Sequence, residues 1–490
     1  MALGLNATTV TVNTPGTIST LISSPASVTS LTVLGTINAA DIYFISSKLT
    51  NLTTLDISGI GGVEAVDNGI AYFAAQTSFD GGVLPQAAFL GNTKLTTVKL
   101  SDRISAIDEG AFAGCTALTT VTMPAYADSL GAYAFSGCTA LTDITTPGSM
   151  YKIGSHAFSG CTSLQSVKFA TANTRATIPA HAFDGCAALT SVTMPANCRS
   201  IGDGAFLGCK ALTQFTFPTT LRSIGNDAFK GTAITAADLS GCGSLKTIGE
   251  WAFADNAALA SVKIPTQVTS IGAGAFFMDS AIDEYEMAGA LREVSDYAYT
   301  GVNGFGSTDV ALHEGITRIG KYAFAYWTDV VSYDLYADDI ELIDDHAFDG
   351  NTGLQDFRVR ATTQVPPLGD DVWNDVDQST VLLKVSDDLV NDYKEADQWK
   401  EFQIEPASSA ESLADFTDVK AYFSGKNLVI ESSRTIQEVM LYDPAGLELT
   451  RLRPASSKAV VNTEAMTNLF YIVAGRTDDG HRFSLKLIRR

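Results

Sequence analysis

The side chains best placed to do chemistry are cysteines. Cys115, Cys138, Cys161, Cys186 and Cys209 recur at steps of 23, 23, 25 and 23 residues. If the repeat stacks, residues in register stand ~5 Å apart. That spacing lies inside the Cα range of a disulfide and would also suit a ladder of metal-binding thiolates. The expected arrangement is a third one, a spine of reduced thiols filling buried turns. Cys198 and Cys242 fall outside the register, and an odd total of seven is not a disulfide framework.

Three of the five histidines, His156, His181 and His346, share one slot of the same repeat. Elsewhere that slot holds Gly110, Tyr133, Gly204, Asp227, Trp251 and Tyr322, so it reads as a surface or edge position and not as a ligand set. His313-Glu314 has no second histidine at helical spacing, which excludes a zincin. There is no Gly-x-Ser-x-Gly elbow and no phosphate loop; Gly301, Gly304 and Gly306 read as a long turn, because no βαβ unit surrounds them. Asp370, Asp371, Asp375 and Asp377 cluster, as do Asp338, Asp339, Asp344 and Asp345, but neither group has the spacing and glycine of a calcium loop. A solvated charged face is the default, with loose Ca²⁺ association as the alternative. No pair among the 54 acids is singled out for glycoside hydrolysis. No catalytic residue, metal or cofactor is expected.

The element that positions these residues is a repeat. An Ala-Phe pair recurs at Phe89, Phe112, Phe135, Phe158, Phe183, Phe206, Phe229, Phe253, Phe276, Phe324 and Phe348; Tyr299 fills the aromatic slot once and Trp373 closes the series. The steps are 23 to 25 residues. Each unit reads approximately Ile-Gly-x-x-Ala-Phe-x-Gly-Cys-x-x-Leu-x-x-Val-x-Φ-Pro, with Φ apolar. The Leu-to-Φ stretch alternates with period two, as a half-buried strand does. Glycine and proline punctuate turns on either side, and the Ile-Gly segments predict a second short strand. A unit of this size cannot bury a core alone, so units must stack into a solenoid. Twelve steps at ~4.8 Å give a rod roughly 55–60 Å long.

This pattern resembles the BspA-type leucine-rich repeat, common in secreted and surface proteins of Bacteroides-type bacteria and some protozoa. The resemblance covers about 86–404. Thr380 to Phe402, with Val385-Ser386, Asp392-Tyr393-Lys394 and Trp399, is similar to the family's usual last unit. The 299 unit departs by its Tyr and longer turn, and the 229 unit by Thr232 in place of Cys. Asp128-Ser129-Leu130 and Asp279-Ser280-Ala281 look like the O-glycosylation signal of Bacteroides-type exported proteins, which would mark Ser129 and Ser280.

The expected fold is a β-rich leucine-rich-repeat solenoid, a parallel strand ladder of about 12–13 units, with an N-terminal α/β cap and a C-terminal β-sandwich. Residues 1–85 read as the cap and lead-in, with helices over 17–21 and 41–52, strands over 31–33 and 55–57, and strand-like Tyr72-Phe73. The solenoid takes 86–404, a linker 405–412 and the sandwich 413–490, where about seven short strands are expected. Val439 to Gly446, Phe470 to Val473 and the basic Lys486 to Arg490 end resemble the sorting-type domains of type IX secretion cargo, without their usual Pro-Asn-Pro start.

The chain has 490 residues, 46% hydrophobic, with a formal net charge of −22. That charge argues against nucleic-acid binding and against docking on an anionic membrane. Residues 279–405 hold 28 acids and 8 bases, net −20. No run of 18 apolar residues spans a bilayer. Met1 to Leu5 lack a basic n-region, so the chain reads as cytosolic or as a mature form whose signal was removed; the family resemblance implies the secreted or surface form.

Residues between the inward positions of each strand should face solvent. The candidate partner-binding stripe is Ser166, Lys168, Gln214, Asp238, Lys263, Glu284, Glu286, Ser332, Asp334, Asp356 and Arg358. It carries no aromatic row and turns acidic from Glu284. The expected function, implied by the resemblance, is non-enzymatic adhesion to host or bacterial surface proteins by a monomer. The alternatives are a surface scaffold or spacer and, below that, glycan capture or processing.

Overall fold

A computed structural model describes residues 7–67, 70–73, 76, 78–169, 177–286, 290–302, 309–407, 419–424, 427–442, 448–463, 470–477 and 482–488. It divides into two compact units, Met1–Pro406 and Ala407–Arg490.

The first unit is built around a stack of rings. From Phe89 to Trp373 each ring lies on the next at 4.9 to 5.8 Å, with planes within 17° of parallel. The rings, and the Ala before each (Val372 before Trp373), are buried throughout. Burying one such ring contributes about 2–3 kcal/mol. Beyond Trp373 the stack is closed by Trp399, Phe402 and Tyr393.

Three backbone ladders wrap this spine. The two-residue strands of the Ile-Gly segments form one, in three sheets: Val83–Leu84 to Lys152–Ile153, Ser200–Ile201 to Ser270–Ile271, and Glu293–Val294 to Leu342–Ile343. The turn holding the Ala-Phe pair forms another. Phe112 N donates to Ala134 O at 2.8 Å and Gly114 N to Ser136 O at 2.7 Å, and later rungs repeat the pattern. Each turn takes two left-handed residues four apart, as at Tyr133 (φ 56) and Gly137 (φ 71). Glycine fills the second position without cost in most rungs. Asp255, Met278, Tyr326 and Asp375 adopt it at about 1 kcal/mol each, held there by the inter-rung bonds.

The longer face strands form the third ladder, which the sequence pattern predicts as continuous. The structure corrects this. The face strands fall into four sheets: Ala7–Val12 through Thr120–Thr122, Asp143–Thr145 through Ser191–Thr193, Ala236–Asp238 through Glu284–Glu286, and Asp309–Leu312 through Gln403–Pro406. Gln214 lies in no strand. Phe215 beside it is half-buried and turns edge-on into Phe206, Phe217 and Phe229, an aromatic cluster that replaces the pleat.

The ladder also starts earlier than the motif does. Ala7–Val12 pairs in parallel with Ser30–Asn38, and that strand with Thr54–Asp56, which pairs onward with Thr97–Lys99. The helices here are Ile18–Leu21 and Ala39–Lys48. Asp41 joins them: its carboxylate is fully buried and accepts from the backbone N–H of Gly16 (2.6 Å), Ile18 (2.9 Å) and Asn38 (3.1 Å). Tyr72 and Phe73 are not a strand. They pack on Tyr43 and Phe79, beside the antiparallel pair Val66–Asp67 and Ser78–Phe79.

Among the described residues the second unit contains six strands, where the sequence predicts about seven. Two expected strands are one, Asn427–Tyr442, because Ser432 to Thr435 hold neither glycine nor proline to end it. Its first half pairs with Val419–Ser424 and Ser456–Asn462, its second with Glu448–Leu452 and Phe470–Thr477. Leu428, Ile430, Ile436, Val439, Leu441, Val461 and Val473 form its core. Glu405 and Pro406, expected in the linker, pair with Lys384 and Val385 in the last strand of the first unit. Residues 408–418, the turns at 443–447 and 478–481, and the end at 489–490 lie outside the described residues.

Candidate partner-binding face

The alternation that buries Val and Ile turns the intervening side chains outward. Ser166 and Lys168 lie on Ser166–Lys168, Asp238 on Ala236–Asp238, Lys263 on Ser261–Lys263, Ser332 and Asp334 on Ser332–Tyr336, and Asp356 and Arg358 on Asp356–Arg360. All are partly or fully exposed. Glu284 and Glu286 lie on Glu284–Glu286 in the same register, their side chains outside the description. Parallel pairing aligns Asp238 with Lys263 and Glu286, and Asp334 with Arg358 and Lys384. Gln214 is exposed but apart from any ladder.

The charges on this face alternate across rungs. Arg360 grips Asp334 through Nε and Nη2, both at 2.6 Å, and lies 5.0 Å over the Tyr336 ring. The Asp334 carboxylate raises the already high Arg360 pKa, so the guanidinium stays charged. The Ser240 hydroxyl and N–H hold Asp238 below the usual carboxylate range. Ser166 donates to Asp143 and Ser332 to Asp309. The face is of mixed charge, with bases beside its acids.

Much of the acidity of 279–405 lies elsewhere. Arg318, on the edge strand Arg318–Ile319, is clamped by Glu293, by Asp296 at 2.7 Å and by Asp344 at 2.6 Å. Lys321 reaches Asp345 at 2.6 Å. Sequence reasoning missed this cluster, because its members are 22 to 26 residues apart and meet only through stacking.

The histidine slot is indeed a surface position, and it holds a second stack. Tyr133, His156 and His181 follow one another at 4.6 Å, and Tyr297, Tyr322 and His346 at 5.3 and 4.6 Å. Burial lowers the His156 pKa, and the neighbouring His181 lowers it further. The signal was present as a recurring slot before each Ala-Phe pair. Because the rings stack face to face, they leave edges to solvent.

All seven cysteines are free and buried. Each in-register thiol donates to the carbonyl of the preceding rung's Phe, from Cys115 to Phe89 O at 3.1 Å through Cys209 to Phe183 O at 3.2 Å. Burial pushes the Cys209 thiol up to about 12, which keeps that sulfur protonated. Among the described residues, no three His, Cys, Asp or Glu side chains converge as a metal site. No helix there is long and apolar enough to cross a membrane. Ser129 sits inside the edge ladder, while Ser280 is exposed beside a buried Asp279.

The profile of the BspA type leucine rich repeat region (6 copies) matches residues 83–177, 176–305 and 277–374. No curated protein matches the chain. Among solved structures, a leucine-rich repeat protein from Bacteroides ovatus is 24% identical, with a TM-score of 0.52, covering 68% of this chain and 88% of its own. A leucine rich cell surface protein from Faecalibacterium prausnitzii is 27% identical over 55% of this chain and 80% of its own, TM-score 0.36. The pneumococcal vaccine antigen PcpA is 14% identical over 64% and 78%, TM-score 0.38. The first of these shares the fold.

Proposed function

The chain belongs to the BspA-type leucine-rich repeat family, and on that premise we propose that it is a non-enzymatic protein of the cell exterior that binds protein partners. The observation that carries this reading is the face ladder of the first unit. Strands in register hold short hydroxyl side chains and alternating charges in rows ~4.8 Å apart on a scaffold braced by the ring stack. Such a surface suits a broad, polar protein contact, in which charges give specificity and encounter rate more than affinity. Family membership supports the exported location. The C-terminal unit is assigned the role of a sorting or attachment module, on the likeness of Val439–Gly446 and Phe470–Val473 to that class of domain.

The test is a binding screen of the whole chain against extracellular-matrix proteins and against a glycan array. Saturable, salt-sensitive protein binding that is lost when Asp238, Asp334 and Asp356 become Lys supports adhesion through this face. Absence of binding at micromolar protein favours the scaffold, and turnover of any glycan defeats the non-enzymatic reading.

A further inference from the structure

The face ladder parts between Thr120–Thr122 and Asp143–Thr145. Neighbouring rungs are bridged at two points around each strand: Gln165 N donates to Thr142 O at 2.7 Å, and Thr146 N to Lys168 O at 2.9 Å. At the corresponding points across the gap, Thr142 N–H and Thr119 O make no bond to each other, nor do Met123 N–H and Thr145 O. Most Cα pairs between the two strands lie beyond 8 Å. Two strands flanking a third are ~9.6 Å apart. The turn ladder stays closed behind the gap, through Phe112 N to Ala134 O and Gly114 N to Ser136 O, so the rungs splay on one side only. Between them is a cleft of about 460 Å³, lined by Thr119 to Met123 on one wall and Thr142 to Pro147 on the other.

The core also opens here. Val121 and Met123 are only half-buried, whereas Val98 and Ile144 in the neighbouring rungs are fully covered. The ladder parts again beside Val192 and Met194, where Phe215 of the next rung packs on Phe206 and Phe229, and a third time between Glu284–Glu286 and Asp309–Leu312. At the first gap the cleft stays open among the described residues.

We propose that an extended peptide segment of a partner protein inserts between Thr120–Thr122 and Asp143–Thr145 as an added parallel strand. Both walls present unpaired N–H and C=O groups, which only an extended backbone satisfies on its two edges at once. One set of its side chains would cover Val121 and Met123, so that set is apolar. The other set lies among Thr120, Thr122, Asp143 and Thr145, so it is small or hydroxylated, with a Lys or Arg toward Asp143. The site borders the stripe at Ser166 and Lys168, which pair with Asp143 and Thr145, and lies many rungs from Asp334.

The test is a phage-displayed library of linear heptapeptides panned on the full chain. Enriched peptides should carry alternating apolar residues and a basic residue. Thr145→Pro places its ring in the gap and removes an N–H on the open edge, and should weaken their binding roughly tenfold or more. Asp334→Lys should leave it unchanged, which separates this proposal from the adhesive face. The second readout uses the unaltered chain. Backbone N-methylation of an enriched peptide at either of two adjacent residues should each cost about tenfold, because an inserted strand bonds on both edges. Loss at alternate positions only, binding indifferent to Thr145→Pro, or no enrichment overturns the proposal. A dimer of this chain that Thr145→Pro dissociates, with no peptide enriched, also overturns it, assigning the edges to a second copy.

Discussion

The early and late rungs of the first unit share one backbone but not one chemistry. From Cys115 to Cys209 the buried slot three residues after the Phe is a thiol. From Thr232 onward it is Thr232, Asn256, Asp279, Val302, Trp327 and Asn351. The geometry shows what unites most of them. Each Cys donates to the preceding rung's aromatic carbonyl; Asn256 does so to Phe229 O and Asn351 to Phe324 O, both at 3.0 Å, and Trp327 to Tyr299 O at 2.7 Å. The slot selects a buried donor, not a cysteine. Thr232 instead donates to Asn256 Oδ1 at 2.6 Å. Val302 carries no donor, and Asp279 is the polar exception: one oxygen accepts from Asn256 N at 2.8 Å and the other has no partner, although the side chain is fully buried.

The largest effect should be blind to this difference. Phe206→Ala and Phe348→Ala each remove a ring stacked on both sides. Each should cost about 3–5 kcal/mol in chemical unfolding. A loss confined to one half would mean that the ring stack is not the common support.

Changes at the donor slot should then separate the halves. Asn351→Leu removes the side-chain donor to the carbonyls of Phe324 and Phe348 and should cost about 1–3 kcal/mol by the same measurement. Cys161→Ala loses a weaker donor and less volume, so about 1 kcal/mol is expected. Equal costs would refute a slot graded by donor strength.

The smallest effect sharpens the exception. Burial raises the Asp279 pKa well above the usual carboxylate value. The folded state therefore holds this proton more tightly than the unfolded state. Its contribution is favourable at pH below the ordinary carboxylate pKa and is lost as pH rises toward the folded-state value. Asp279→Asn supplies a neutral donor and should raise the melting temperature at pH 7, by roughly 1–2 kcal/mol of stability. The gain should vanish near pH 3. A variant less stable than the parent at pH 7 would show that the carboxylate is needed there.

Periodicity carried a good deal of the fold. The Phe register, Trp373 as the closing ring and the Thr380–Phe402 end unit were legible because each depends on burial at fixed spacing. The outward residues of the stripe followed from strand alternation. Tyr72-Phe73 misled because aromatic residues suit a strand and a packed loop equally. The seven-strand count misled because a bend in a long strand carries no glycine or proline signal.

By itself, then, the sequence determined that the chain stacks, what lies at its centre and which side chains the strands turn outward. Those outcomes follow from hydrophobic spacing within single units. Only the tertiary structure decided where the face ladder parts, which acids surround Arg318, that the histidine slot forms a ring stack and that the cysteine slot calls for a donor. The reason is physical. Each of these depends on bonds between residues 22 to 28 positions apart, whose lengths are set by how one rung settles on the next.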